Sequence, residues 1–230
     1  MIRQAPPSWV YFGGLALTVI AGAINAVGFL GQHHQALSHM SGSVTVLGME
    51  LARANYGVAF HALAILGAFF AGCLVSGTVI SQSSLRLGRR YGIALTLESI
   101  ALFAAVYFLR SGASVGDYLA AMACGLQNAM VTTYSGSTMR TTHMTGMVTD
   151  LGIACGHFIR GLPVDWFRFR IYGFLFLGFF AGGVIGTFGY GWFGYDTLLF
   201  PAVLSGVTGI GYTAVKHYEH RRKENERHVV

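Results

Sequence analysis

The sequence predicts an all-α integral membrane protein: six transmembrane helices arranged as a 3+3 inverted repeat, each half carrying a short re-entrant half-helix. Three observations lead there. Apolar runs recur at about 9–31, 57–80, 91–110, 117–134, 170–192 and 197–216, each close to the ~20 residues that cross a ~30 Å hydrocarbon core as a helix. Charged residues make up only 10% of the chain, against roughly 25% in soluble domains. Finally, one polar phrase is written twice, as Ser38-His-Met-Ser-Gly-Ser-Val-Thr-Val-Leu-Gly48 and Thr142-His-Met-Thr-Gly-Met-Val-Thr-Asp-Leu-Gly152, with seven of eleven positions identical and two more exchanging Ser for Thr.

Only helices or closed barrels satisfy their backbone in lipid, and these continuous runs lack the alternation of barrel strands. The first run follows Arg3 and is long, with Ala21-Gly22-Ala23 inside it, so a retained span is expected rather than a removable leader. Cys73, Cys124 and Cys155 are odd in number and lie in apolar segments, which suits packing better than a disulfide frame or a metal site. The formal charge of +6 reflects topology, not nucleic-acid binding. With six spans and a cytoplasmic N-terminus, 13 of the 15 basic residues fall inside, leaving Arg53 and Arg110 outside; that is a strong positive-inside bias. An eight-span threading, with both repeated phrases crossing, weakens the ratio to 11:4. Residues 217–230 read as a charged cytoplasmic tail, frayed in solvent.

The duplication extends beyond the phrase. Gly22-Ala-Ile-Asn25-Ala26 is echoed by Gly125-Leu-Gln-Asn128-Ala129, and Leu66-Gly-Ala-Phe-Phe-Ala-Gly72 by Leu177-Gly-Phe-Phe-Ala-Gly182. The order of landmarks is kept, so residues 1–110 and 111–216 are expected to be two copies. Three spans per copy is an odd number, so the second copy enters the membrane from the opposite face. The phrases then supply half-helices at about 42–53 and 146–157, with Ser41 and Thr145 as N-caps. Their positive dipole ends would face each other near the midplane, a setting that suits an anion or a polar solute. Whether segments 39–56 and 142–159 re-enter or cross stays open at this point.

Candidate solute-binding residues follow from that geometry: Asn25, His39, Ser41, Gly42 and Thr45 in the first copy, and Asn128, His143, Thr145, Gly146, Thr149 and Asp150 in the second. The asparagines serve equally well as glue between helices. The histidines could hydrogen-bond a solute or carry protons, but no carboxylate or cysteine accompanies both at ligand spacing, so no metal and no cofactor is expected. Glu98 sits mid-span without an obvious partner and is the candidate for proton coupling, with a structural hydrogen bond as the plain alternative. Glycine supplies 32 residues, many at small-xxx-small spacing such as Gly72 with Ser76 and Gly178 with Gly182. These serve close helix packing; a homodimer seam is the other use of such stripes.

The Gly-x-x-Asn helix, the Met-(Ser/Thr)-Gly phrase with its following Leu-Gly, and the Gly-Leu-Gln-Asn segment together resemble the YoaK family of bacterial membrane proteins, over roughly residues 14–216. The resemblance implies about six spans and a place in the bacterial cytoplasmic (inner) membrane, and supplies no substrate. Ser43 stands where the family pattern has Asn. The expected function is a small-solute transporter or channel, not an enzyme, with the lipid bilayer and a small polar or anionic solute as partners. A non-transporting sensor or assembly factor is the main alternative, and a membrane-embedded enzyme, lacking any diagnostic spacing among Glu98, His39, His143 and Asp150, the weaker one.

Overall fold

The computed structural model describes residues 8–80, 90–135 and 139–228. They form α1 (Ser8–Leu30), α2 (Met40–Ala52), α3 (Tyr56–Val79), α4 (Arg90–Arg110), α5 (Val115–Tyr134), α6 (Met144–Ile159), α7 (Trp166–Phe193), a 3-10 turn (Gly194–Leu198) and α8 (Leu199–His228). No strand occurs among the described residues. Arg3, Arg86 and Arg89, three of the basic residues counted in the threading argument, lie outside them.

Four stretches are long and apolar enough to cross a membrane: Phe12–Leu30, Tyr56–Val79, Arg90–Arg110 and the continuous Trp166–Val215, which covers α7, the 3-10 turn and most of α8. This is a membrane-type, all-helical chain. α5, expected as a span over 117–134, is not among the four. Its apolar character is diluted by Asp117, Gln127, Asn128, Thr132 and Thr133. The packing explains why that is tolerated: α3 and α4 lie against α5, α1 touches it, and of its residues with described burial only Val115 is exposed. Polar groups survive in such a helix because protein, not lipid, surrounds them. At the other end of the chain, the expected frayed tail is instead helical, since α8 runs on through His228. The Glu, Lys and Arg residues of 219–227 are good helix formers once a nucleated helix precedes them.

The helices pair as α1 with α7, α3 with α5, α4 with α8, α2 with α3 and α6 with α7. Exchanging α1–α4 for α5–α8 maps these five pairs onto one another, but α4 also packs extensively on α5, and the image of that contact, α8 on α1, is not among the extensive ones. The α1–α7 pair becomes α5–α3, the α2–α3 pair becomes α6–α7, and α4–α8 is its own image. The seams match residue by residue. A Cβ on Gly72 would collide with the Met122 carbonyl, and one on Gly125 with the Phe69 carbonyl. In the other pair, a Cβ on Gly182 would strike the Val19 carbonyl and one on Gly22 the Phe179 carbonyl. Gly22 and Gly125 are counterparts in the repeated sequence, as are Gly72 and Gly182. The glycine stripes therefore pack helices within the chain.

Twice the chain folds back along a long helix in the same way. After α1 ends, residues 35–38 return along it, with the Gln35 carbonyl and the Leu37 side chain against Gly28. Ser38 reaches the level of Asn25, five residues before the helix end, which is about 7–8 Å of helix at ~1.5 Å per residue. Thr141 likewise returns to the level of Asn128, six residues before the end of α5, about 9 Å. The short helices α2 and α6 start from these depths, and no extensive contact joins them.

Candidate functional site

The asparagines hold the turns that launch the short helices. Asn25 Oδ1 accepts from the Ser38 backbone N–H and from Ser38 Oγ, both at 3.1 Å. Asn128 Oδ1 accepts from the Thr141 N–H at 3.1 Å and from Thr141 Oγ1 at 3.5 Å. Both hooks span 13 residues. Asn25 is buried and Asn128 half-buried, and each amide oxygen satisfies a backbone donor that would otherwise be orphaned away from water. The visible contacts of both asparagines support these turns, which is neither the solute contact nor the interhelix glue expected from the sequence.

The helix starts differ by two residues from the expectation. His39 and His143, not Ser41 and Thr145, occupy the cap positions, and neither makes a side-chain cap bond. Ser41 and Thr145 therefore lie within the first turn, where their hydroxyls cannot reach back to the N2 and N3 amides. Ser41 Oγ instead meets His39 Nε2 at 2.9 Å. Each imidazole folds over the first turn onto glycine: a Cβ on Gly42 would lie 3.0 Å from His39 Nδ1, and one on Gly146 would collide with His143 Nε2. Gly42 and Gly146 thus make room for a ring. Thr45 and Thr149 each donate to the carbonyl four residues back, at 3.0 and 2.9 Å, the usual use of Thr inside a helix.

Asp150 is exposed on α6 beside a shallow pocket of about 240 Å³ that also includes His157, Asp165 and Arg168. Glu50, at the far end of α2, binds Arg53 at 2.9 Å and Asn55 at 2.7 Å and ties off the turn into α3. The predicted solute residues thus form two groups, one at α1 and α2 and one at α5 and α6. Among the described residues no hydrogen bond or ion pair joins them. Nor do they line the cavity of about 290 Å³ between α1, α4, α5 and α8, whose wall is mostly apolar, with Leu17, Ile20, Tyr91, Leu95 and Met130, and includes Ser205 and Thr208 of α8.

Glu98 has partners that the sequence did not reveal. It is fully buried on α4 and accepts from Gln127 Nε2 of α5 at 3.0 Å, with Ser205 of α8 beside the same carboxyl. Ser205 is the approximate repeat counterpart of Glu98, so the two meet where the α4–α8 pair maps onto itself. Glu98 Oε2, Gln127 Oε1 and Ser205 Oγ are buried without a hydrogen-bond partner. Gln127 Oε1 can only accept, and Glu98 Oε2 can only accept while the carboxyl is ionised. One proton on Glu98 would turn Oε2 into a donor to either Gln127 Oε1 or Ser205 Oγ.

A second cluster lies where α1 ends and α3 and α5 begin, and nothing in the sequence spacing announced it. Asp117, in the first turn of α5, meets His33 Nδ1 at 2.6 Å and lies 3.8 Å from His61 Nε2 of α3. The two rings stack loosely, with centroids 4.4 Å apart. Ser114 Oγ meets His33 Nε2 at 3.2 Å, and Tyr118 Oη meets His61 Nδ1 at 3.0 Å. The signal for these residues was weak but present: His61 and Asp117 are polar intrusions in apolar helices, 57 and 84 positions from their ring partners in Tyr118 and His33.

The model of a protein family described only as "Protein of unknown function (DUF1275)" matches residues 13–211. The chain belongs to this family. The match is compatible with the YoaK resemblance and does not itself carry that name. No curated protein and no solved structure matches the chain. Membership in DUF1275 therefore covers both repeated phrases, both glycine seams and both polar clusters, and attaches no chemistry to them.

Proposed function

We propose that this DUF1275 chain is a small-solute transporter or channel of the bacterial cytoplasmic membrane. Its six long helices cross the bilayer as two inverted copies, residues 1–110 and 111–216, with α2 and α6 as re-entrant half-helices and both termini in the cytoplasm. The observation that carries the reading is the pair of asparagine hooks. In each copy a buried or half-buried amide pulls non-helical chain back below the end of a long helix and starts a short one there. Unwound backbone at such depth is tolerated in membranes only against protein or a water-filled path, and paired broken helices of this kind characterise solute sites in transporters.

In this reading the first-turn amides of α2 and α6, with His39, Ser41, Thr45, His143, Thr145 and Thr149 beside them, meet the solute. Asn25 and Asn128 position those turns. Asp150 gives the two ends different charge, which favours a neutral or zwitterionic solute over a simple anion. Glu98, at the self-mapping α4–α8 contact, couples solute movement to protons. Its network gains a donor when protonated and loses one when ionised, so the packing of one copy against the other differs between the two states. Rocking of the copies about that contact then alternates access.

Uptake into proteoliposomes tests the proposal. A panel of labelled small amino acids, sugars, carboxylates and inorganic anions is offered with and without an inward proton gradient. At least one solute is expected to enter faster than into empty liposomes, with the gradient dependence lost in Glu98→Gln. Permeability indistinguishable from empty liposomes across the panel would reject transport. Uptake with unchanged gradient dependence in Glu98→Gln would reject the proton role alone.

A further inference from the structure

Two imidazoles and one carboxylate stand together at the mouth of α3 and α5, with one ligating atom from each of His33, His61 and Asp117 within 4.8 Å of the other two. We propose that His33, His61 and Asp117 form a binding site for a first-row transition-metal dication of the Zn2+ type. The geometry is close to what such an ion needs. Tetrahedral Zn2+ sits about 2.0–2.2 Å from N and O ligands, which puts neighbouring ligand atoms roughly 3.3 Å apart. The observed separations of 2.6 Å and 3.8 Å from Asp117 Oδ2 bracket that value. Small side-chain rotations would bring all three onto one ion and leave a fourth position open.

A second observation points to a ligand independently of the spacing. His61 Nε2 is buried and has no hydrogen-bond partner, on a residue only 8% exposed. A satisfied structural histidine would not leave that nitrogen empty. Its other nitrogen, Nδ1, meets Tyr118 Oη. With the proton on Nδ1 and donated to the phenol oxygen, Nε2 presents its lone pair toward Asp117 and His33, the outer-shell arrangement that orients metal-bound histidines. Ser114 holds the far side of the His33 ring in the same manner.

The donor set narrows the ion. Mg2+ and Ca2+ prefer all-oxygen shells, and Cu(I) prefers sulfur; two imidazoles and a carboxylate suit Zn2+, Co2+, Ni2+ or Fe2+. The site would also clip the segment after α1 onto α3 and α5. That segment leads to Ser38 and α2, so an ion here would stiffen the turn that starts the first short helix. Nothing in this inference depends on transport.

The full-length protein in detergent, stripped with a chelator, is titrated with Zn2+ against a chromophoric competitor and with Co2+ by visible absorption. One ion per chain is expected, with ligand-field bands of a low-coordinate Co2+ site. His61→Ala, His33→Ala and Asp117→Asn should each weaken Zn2+ at least tenfold and remove the Co2+ bands. His157→Ala, on exposed α6, should do neither. Asp117→Asn keeps the side chain's shape and Tyr118→Phe touches only the outer shell, so these two remain readable if the alanine variants fail to fold; Tyr118→Phe should weaken binding less than Asp117→Asn does. The inference is overturned if the wild-type chain binds neither ion, or if Asp117→Asn binds as tightly as wild type.

Discussion

Alanine at four glycines offers a direct measure of the two equivalent helix seams. At Gly125 a Cβ would lie 2.8 Å from the Phe69 carbonyl carbon and 3.0 Å from its Cα; at Gly72, 2.8 Å from Leu126 N and 2.9 Å from Met122 C. In the matching seam, Gly182 would place it 2.8 Å from Val19 C, and Gly22 would place it 3.0 Å from Phe179 C. Ordinary contact begins at 3.4 Å, so the helices must part by about half an ångström even before the nearer carbonyl oxygens are counted. Those atoms are backbone and cannot swing aside, which places the cost at the upper part of the ~1–3 kcal/mol range for overpacking, or beyond it. Gly67, Gly77 and Gly183 have nothing within 4 Å of the same added atom. There Ala should be neutral or gain up to ~1 kcal/mol of helix propensity. The two classes should therefore differ by about 2–4 kcal/mol, which for a chain of this size is roughly 5–15 °C in Tm. Thermal unfolding in detergent, followed by circular dichroism and by loss of the monodisperse peak, reads the difference. The exchange of helices also requires Gly72→Ala to match Gly182→Ala and Gly125→Ala to match Gly22→Ala. Seam variants as stable as the open-face controls would refute the packing; a loss confined to one seam would refute the equivalence of the two copies.

Asn25→Ala removes the acceptor for two buried donors of Ser38 and should cost about 1–3 kcal/mol, read by the same unfolding assay; Asn128→Ala should cost less, because its second bond is 3.5 Å long. Glu98→Gln keeps a side chain of the same shape against Gln127 and should leave stability within about 1 kcal/mol of wild type, whereas Glu98→Ala orphans Gln127, opens a void and should cost about 2–5 kcal/mol; equal effects would show that the network contributes nothing. Asp196, in the turn between α7 and α8, accepts from Arg110 through both oxygens at 2.6 and 2.5 Å, and this hydrogen bonding holds its carboxyl below the usual carboxylate range. A lowered folded-state value means a contribution present above the unfolded carboxyl's pKa and lost as pH falls through the depressed one. Asp196→Asn should therefore lower stability slightly at neutral pH and not at all at strongly acid pH, flattening the acid side of the profile; the loss is small because the pair is exposed.

The two short helices, α2 and α6, were legible because apolar runs too short to span were tied to a polar phrase that could not be coincidence. Their starting residues were not, because cap choice depends on where an imidazole can fold, and that requires knowing that Gly42 and Gly146 leave space. The tail was misread as frayed because charge density was weighed above helix propensity. His61, Asp117 and Gln127 went unread for a different reason. A single polar residue in an apolar helix carries no information about its partner when that partner lies 29 to 84 positions away.

By itself the sequence determined the membrane-type class, the helical runs, the repeated polar phrase and the matched asparagines, because each of these is written as local composition, period or repetition. Only the tertiary structure decided that the glycine stripes close α1 on α7 and α3 on α5, that α5 is enclosed by protein, and that Glu98 faces Gln127 and Ser205 while His61 faces His33 and Asp117. Helix periodicity fixes which residues share a face; which faces meet is decided by how closely backbones can approach, and that is a property of the assembled bundle.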